Sequence, residues 1–296
     1  MEPTVGFIGL GVIGLPMAER LQQQGLPLVV WNRTAQKADG LLERGAQRAS
    51  TPEELARSAD IVITMVTDGP AVEALAFGSG GLVAALTPGK VHCDMSTIGP
   101  DTSHRLAVRY ASCGVPFLQA PVLGNRHAAA AGTLLIFAGG PREAFEKCKP
   151  VFEALGRKIW HLEEASTASA MKLASNLLLA GMMQVFGESL VLAAKAGIRP
   201  RTMLEVIGQS ALAAPMFETK GEAIARGDFT PNFYLRNMLK DLELVLDASN
   251  QWGVELPATR AVRGAFAAAA EQGLAELDYS AVVKWLEQRA ALAAAR

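Results

Sequence analysis

Strand-length runs recur through the first half of the chain: Thr4 to Ile8, Leu26 to Trp31, Ile61 to Val66, Lys90 to Asp94, Pro116 to Ala120 and Leu134 to Ala138. Lys158 to His161 adds a last short one. Between them lie stretches with the 3.6-residue apolar spacing of amphipathic helices. Such alternation predicts a mostly parallel, doubly wound α/β sheet. Near Glu163 the pattern changes, and beyond it helical periodicity runs almost unbroken. A long helix is expected over about 166–195, closed by Gly197 and Pro200. Helices over Arg201 to Gly208, Met216 to Ala225, Tyr234 to Trp252, Pro257 to Gln272 and Tyr279 to Ala295 follow. Short alanine-rich stretches at 128–131, 267–270 and 291–295 read as helix-favouring segments.

The first strand runs directly into Gly9-Leu10-Gly11-Val12-Ile13-Gly14 and then a helix opening at Leu15-Pro16-Met17. Strand, G-x-G-x-x-G and helix in that order is the context a dinucleotide fingerprint requires. Gly9 allows the tight turn, Gly11 lets the backbone approach a pyrophosphate, and Gly14 allows close packing of helix on strand. The helix N-terminus then offers unpaired N–H groups to phosphate oxygens. The domain over 1–163 is thus a Rossmann-type, dinucleotide-binding sheet. The all-helical domain over 164–296, opening with the long linking helix, is left for substrate and oligomer contacts.

The end of the second strand selects the nicotinamide cofactor. An NAD-binding unit places an acid there to bond the ribose 2′-hydroxyl. This chain has Asn32-Arg33-Thr34, and the next acid is Asp39, already in a helical stretch. Arg33 attracts a 2′-phosphate that a carboxylate would repel, and Asn32 and Thr34 can add neutral hydrogen bonds. NADP(H) is therefore the expected cofactor. Met65 and Val66, at the end of the third long strand, are placed with the nicotinamide cofactor as well.

Bulk properties narrow the classes. The 296 residues fit two domains, half of them are apolar, and the net charge of −1 comes with no basic run. A nucleic-acid partner is not indicated. Three separated cysteines suggest a reducing compartment, and the N-terminus carries no leader-like segment, so a cytoplasmic protein without a membrane partner is expected. The most apolar long segment, Leu173 to Ala194, contains Asn176, Gln184 and Glu188, as a buried helix does. The four histidines form no metal-ligand spacing, and neither a nucleophile elbow nor a G-K-[ST] phosphate loop occurs.

Several motifs in order resemble the β-hydroxyacid dehydrogenases, a family that includes 3-hydroxyisobutyrate dehydrogenases, tartronate semialdehyde reductases and glyoxylate/succinic semialdehyde reductases. The opening run Gly9 to Met17 is similar to the family signature, with Ile13 where methionine is common. Asp94-Met95-Ser96-Thr97 resembles the D-x-S-T segment beside the nicotinamide. Met171-Lys172-Leu173-Ala174-Ser175-Asn176 resembles the K-x-x-x-N catalytic motif, and Phe233, Lys240 and Asp241 the later F…K-D pattern. The resemblance covers nearly the whole chain. It implies Lys172 as the catalytic acid/base, Asn176 and Ser96 on the substrate, and Thr97, Phe233 and Lys240 on the cofactor.

The residues alone bear on these roles. Lys172 and Asn176 stand four apart on one helix face, in apolar surroundings. A lysine so placed either snorkels to water or is held as a functional group. Ser96 and Thr97 follow a strand's C-terminal end, where open α/β sheets bind ligands, and could equally cap the helix near Pro100. Lys240 lies among alternating charges, as a solvated residue would.

Three departures stand out. Gln119-Ala120-Pro121-Val122-Leu123-Gly124-Asn125 resembles the family's D-A-P-V-S-G-G loop, whose Ser-Gly-Gly grips a substrate carboxylate. Leu123 replaces the serine and cannot hydrogen-bond through its side chain; Asn125 replaces the second glycine and Gln119 the acid. Ala168 stands where glycine is common. Leu123, Gly124 and Asn125 are the expected substrate loop, with Arg126 or His127 as alternative sources of charge.

The expected protein is an NADPH-preferring reductase of a small aldehyde or semialdehyde, working as a homodimer or homotetramer. An imine or neutral-carbonyl reductase and a non-catalytic NADP-binding interaction module are the alternatives. Lys172 argues against the former and Leu123 for it; the retained Lys172 and Asn176 argue against the latter.

Overall fold

The computed structural model describes residues 2–292, in which nine strands and thirteen α-helices are formed. The chain divides into two compact units, residues 1–173 and 174–296.

The first unit opens with β1 (Val5–Ile8), α1 (Gly14–Gln23), β2 (Leu28–Trp31), α2 (Asp39–Glu43), β3 (Gln47–Arg48), α3 (Pro52–Ser58), β4 (Ile61–Thr64) and α4 (Gly69–Phe77). It continues through β5 (Val91–Asp94), α5 (Pro100–Ser112), β6 (Phe117–Gln119), β7 (Val122–Leu123) and α6 (Arg126–Ala131). β8 (Leu134–Gly139), α7 (Arg142–Leu155) and β9 (Gly156–Leu162) complete it before α8 (Ala165–Lys195) begins. The strand order is β3-β2-β1-β4-β5-β6-β8-β7, with β9 on β8. Strands β1 to β6 pair in parallel. The order reverses between β1 and β4, which is the switch point where such sheets bind ligands.

Two edge elements depart from the expected pattern. β3 is too short to show a strand period, and β7 follows β6 after only Ala120 and Pro121. β8 runs antiparallel to β6 and β7. The six-residue α6 between β7 and β8 is shorter than a parallel crossover needs, so the chain folds straight back. The fourteen-residue α7 is long enough, and β9 accordingly lies parallel to β8. β9 runs over seven residues, longer than Lys158 to His161.

Alternation along the strands supplies both faces with core. Val5, Phe7, Ile61 and Ile63 enter one apolar cluster, while Ile8 and Val62 enter the other.

The second unit contains most of α8, then α9 (Pro200–Gly208), α10 (Pro215–Ala225), α11 (Leu235–Gln251), α12 (Pro257–Ala269) and α13 (Val282–Arg289). Ala180, Met183, Phe186 and Leu190 of α8 pack with Leu235, Met238, Leu242, Val262, Phe266 and Val283. Polar positions of α8 are used internally, as where Gln184 Nε2 donates to Glu188 at 2.7 Å. α12 stops at Ala269 and passes into a π-helical turn in which Gly273 has φ +82°. The helix expected over 279–295 is divided. Tyr279–Ala281 forms a 3₁₀ turn capped by Asp278, and α13 follows. Residues 293–295 of that expectation lie outside the described residues.

Candidate active site

The glycine turn is fixed by crowding on one side and open on the other. Gly9 has φ +100°, and a Cβ there would run into the Met65 carbonyl oxygen. A Cβ at Gly14 would run into the Gly9 carbonyl oxygen. Gly11 is exposed, and among the described residues a Cβ on it would have no heavy atom within 4 Å. The protein therefore demands glycine at 9 and 14, while Gly11 leaves room for a phosphate group at the helix N-terminus. Val12 and Ile13 are half-buried beside it.

Asn32 has a task within the protein. Its Oδ1 accepts the Leu10 N–H at 2.9 Å and its Nδ2 donates to the Thr34 carbonyl at 2.7 Å. The amide braces the glycine turn against the end of β2 and is engaged at both ends. Arg33 and Thr34 are exposed. The next acid, Asp39, is paired with Arg48 at 2.7 Å, so its charge is compensated. These features fit a dinucleotide at the switch point.

A buried polar cluster closes the carboxyl ends of β4, β5 and β6. Thr64 Oγ1 donates to Asp94 Oδ1 at 2.6 Å, and Ser96 Oγ donates to the same oxygen at 2.7 Å. Ser96 Oγ also accepts the Val66 N–H at 2.9 Å. Because the Thr64 hydrogen points to Asp94, the His92 Nε2 that lies 2.9 Å from Thr64 Oγ1 must be the donor in that contact. Burial holds His92 neutral, its pKa lowered to about 3. Burial pushes the Asp94 carboxyl up, against the hydrogen bonds from Thr64 and Ser96 and the nearby Gln119 amide.

Ser96, expected on the substrate, is held within this cluster. Its hydroxyl is wholly buried and both donates and accepts inside the protein. Thr97, half-buried, is the next residue out. Met65 and Val66 are half-buried beside Gly9, so the β4 loop and the glycine turn do come together.

The loop after β6 keeps its glycine and changes its neighbours. Gly124 has φ +153°, and an added Cβ would press on Leu134 at 2.6 Å. Leu123 is half-buried and pairs with Leu135 on β8. Asn125 Oδ1 accepts the N–H groups of His127 and Ala128, both at 3.0 Å. Asn125 is therefore the N-cap of α6. Arg126 and His127 are exposed.

Lys172 lies in the second turn of α8 and is 8% exposed, while Met171 beside it is 44% exposed. Ala168 is fully buried and sits against Gly139, where a Cβ would meet the Ala168 methyl at 2.9 Å.

In the second unit, Asn176 is buried and donates Nδ2 to Asp241 Oδ2 at 2.5 Å. Lys240 Nζ lies 2.9 Å from Asp241 Oδ1. Asp241 joins two residues that had been assigned separate ligands. The signal for it is a carboxylate in register with Met238, Leu242 and Val245, the buried face of α11. Phe233 is half-buried beside Tyr279, ring centroids 5.9 Å apart, and its N–H reaches Asp278 Oδ2 at 3.3 Å. Asp278 also accepts from Lys220 and Ser280, an anchor that sequence patterning did not single out. Among the described residues no group of three or more His, Cys, Asp and Glu is placed to hold a metal ion.

Residues 4–163 match the model of the NAD binding domain of 6-phosphogluconate dehydrogenase. Residues 166–286 match the NAD-binding region of NADP-dependent 3-hydroxyisobutyrate dehydrogenase. The chain is 35% identical over 280 residues to glyoxylate/succinic semialdehyde reductase 1 of Arabidopsis thaliana, covering 95% of this chain and 97% of that one. A 3-hydroxyisobutyrate dehydrogenase from Salmonella typhimurium superposes with a TM-score of 0.88 at 28% identity, over 95% of this chain and 99% of the other. Psf3, solved with NADP+ and 2-OPP, superposes with a TM-score of 0.90 at 26% identity, over 96% and 100%.

Proposed function

The chain belongs to the β-hydroxyacid dehydrogenase family of NAD(P)-dependent oxidoreductases acting on small hydroxyacids and semialdehydes, and from that premise we propose an NADPH-preferring semialdehyde or aldehyde reductase with Lys172 as its proton donor. One observation carries the reading: a lysine almost withdrawn from water, one helical turn before a buried asparagine that a carboxylate orients.

The cofactor, when bound, supplies the hydride. In the reducing direction the Lys172 ammonium donates a proton to the carbonyl oxygen; in the oxidising direction neutral Lys172 takes the hydroxyl proton. Asn176 Nδ2 donates to the Asp241 carboxylate, which fixes the orientation of that amide. Gly9, Gly11 and Gly14 shape the phosphate turn, Asn32 braces it, and Arg33 meets the 2′-phosphate.

Leu123 supports a second reading. Its side chain cannot hydrogen-bond a carboxylate as the family's serine would, which suits a neutral aldehyde, ketone or imine.

The functional unit is proposed to be a homodimer or homotetramer. Met171, Leu178, Val185 and Leu192 recur every seven residues along α8 with 44–74% exposure. Gly181 lies between them with nothing within 4 Å of an added Cβ. A large-apolar seam with small residues in its gaps suits the helix of a second copy.

The test is NADPH absorbance, with NADH in parallel, against succinic semialdehyde, glyoxylate, neutral aldehydes and cyclic imines. A semialdehyde turned over by the wild type, with kcat lowered about 10²–10⁴-fold in Lys172→Ala, supports the reading. Turnover of neutral substrates alone supports the second one. NADPH binding without turnover of any substrate overturns both.

A further inference from the structure

The turn that follows β5 is held from two sides. Toward β4, Ser96 Oγ accepts the Val66 N–H. Toward β6, the Ser96 carbonyl accepts Gln119 Nε2 at 2.8 Å. Gln119 and Asp94 are register partners on adjacent parallel strands, so their side chains stand on the same face of the sheet. Both are wholly buried, and among the described residues Gln119 Oε1 has no donor.

An acid at position 119 would behave differently in this place. An ionised carboxylate has no hydrogen to give the Ser96 carbonyl. It would also stand beside Asp94 in a medium that raises carboxyl pKa values, so one of the pair would keep a proton. The amide supplies the donor permanently and adds no charge.

We propose that Gln119 is a positioning residue for the cofactor-facing turns. Its amide holds the Ser96 carbonyl, Ser96 in turn holds the Val66 N–H, and the placement of Thr97 and Val66 is thereby made independent of protonation. This rests on the family reading that a nicotinamide cofactor binds at the carboxyl edge of the sheet.

The other titratable groups around this cluster do not change charge near neutrality. His92, on β5, is held neutral, its pKa about 3. Tyr110, from α5, and Cys93, on β5 beside Cys148 of α7, have their pKa values pushed up by burial.

The experiment is NADPH binding by fluorescence titration from about pH 6 to 9 on the wild type, Gln119→Met and Gln119→Glu, with succinic semialdehyde turnover in parallel and thermal melts of each protein. Gln119→Met loses the donor without gaining charge and should weaken NADPH binding about fivefold, equally at every pH, the effect of one buried hydrogen bond. Gln119→Glu should match the wild type most closely at the acid end, where the new carboxyl keeps its proton and can still donate. Its binding should weaken progressively as pH rises. Folded variants whose NADPH affinity equals that of the wild type at every pH would overturn the proposal, as would a pH-independent loss in Gln119→Glu. A wild type that binds neither NADPH nor NADH would overturn the cofactor reading, and the proposal with it.

Discussion

Asn176 Nδ2 and Asp241 Oδ2 stand 2.5 Å apart, both side chains nearly sealed from solvent, with Lys240 Nζ 2.9 Å from the other carboxylate oxygen. A carboxylate so placed decides which end of the Asn176 amide faces where and compensates a half-buried cation. Replacing Asp241 by asparagine keeps its volume, removes the charge and lets the Asn176 amide turn over. The expected result is a fall in kcat/KM of roughly 10- to 100-fold, the range for a hydrogen bond to a charged group. Steady-state kinetics on a variant with wild-type circular dichroism checks it; unchanged kcat would remove Asp241 from the account.

Arg33 is the exposed cation at the end of β2, and Asn32 is committed to the glycine turn. Arg33→Ala should raise the KM for NADPH by about tenfold or more and leave that for NADH nearly unchanged. Equal losses for both cofactors would place Arg33 away from the 2′-phosphate.

The seven-residue seam on α8 predicts a change of mass. Val185→Asp together with Leu192→Asp puts two charges on residues 64% and 74% exposed, so the fold of the chain itself should tolerate them. Light scattering should show a smaller species than for the wild type. The same mass in both proteins would assign the seam no role in association.

His92 makes stability depend on pH. Its folded pKa is about 3 and its ordinary value 6.5, so the unfolded chain binds the proton that the folded one refuses. Stability from this group is fully present above about pH 6.5 and is lost as pH falls toward 3, at about 1.4 kcal/mol per pH unit. Asp94, with a raised pKa, acts in the opposite sense. Chemical denaturation of the wild type and His92→Phe between pH 4 and 8 separates the two: the variant's curve should be flatter between 6.5 and 4. Parallel curves would show that His92 titrates alike in both states.

Much of this molecule could be read from residue order alone. The sheet strands β1, β2, β4, β6 and β8 announce themselves because each is a largely apolar run between turn residues, and Gly9 and Gly14 because no other residue fits beside a neighbouring carbonyl oxygen. What could not be read was which way a polar side chain turns. Ser96, Asn32 and Asn125 all occupy positions suited to a ligand, and the side chains of all three also engage protein groups. A hydroxyl or amide has the same formula whether it faces outward or inward. Only the neighbouring strands and caps, brought together by folding, decide the matter. Asp241 is the converse case, since its place on the buried face of α11 is legible in the spacing of Met238, Leu242 and Val245, yet its partner 65 residues away is not.

The pairing of Asp39 with Arg48 lies at the surface, both side chains about half exposed. The local field at the end of β2 is then the sum of Arg33 and a neutralised acid, and all three charges are open to counter-ions. Mobile salt screens such charges beyond about 10 Å at 0.1 M and about 3 Å at 1 M. The proposed preference for NADPH over NADH is therefore expected to depend on protein and medium together, greatest in dilute buffer and narrowing as ionic strength rises.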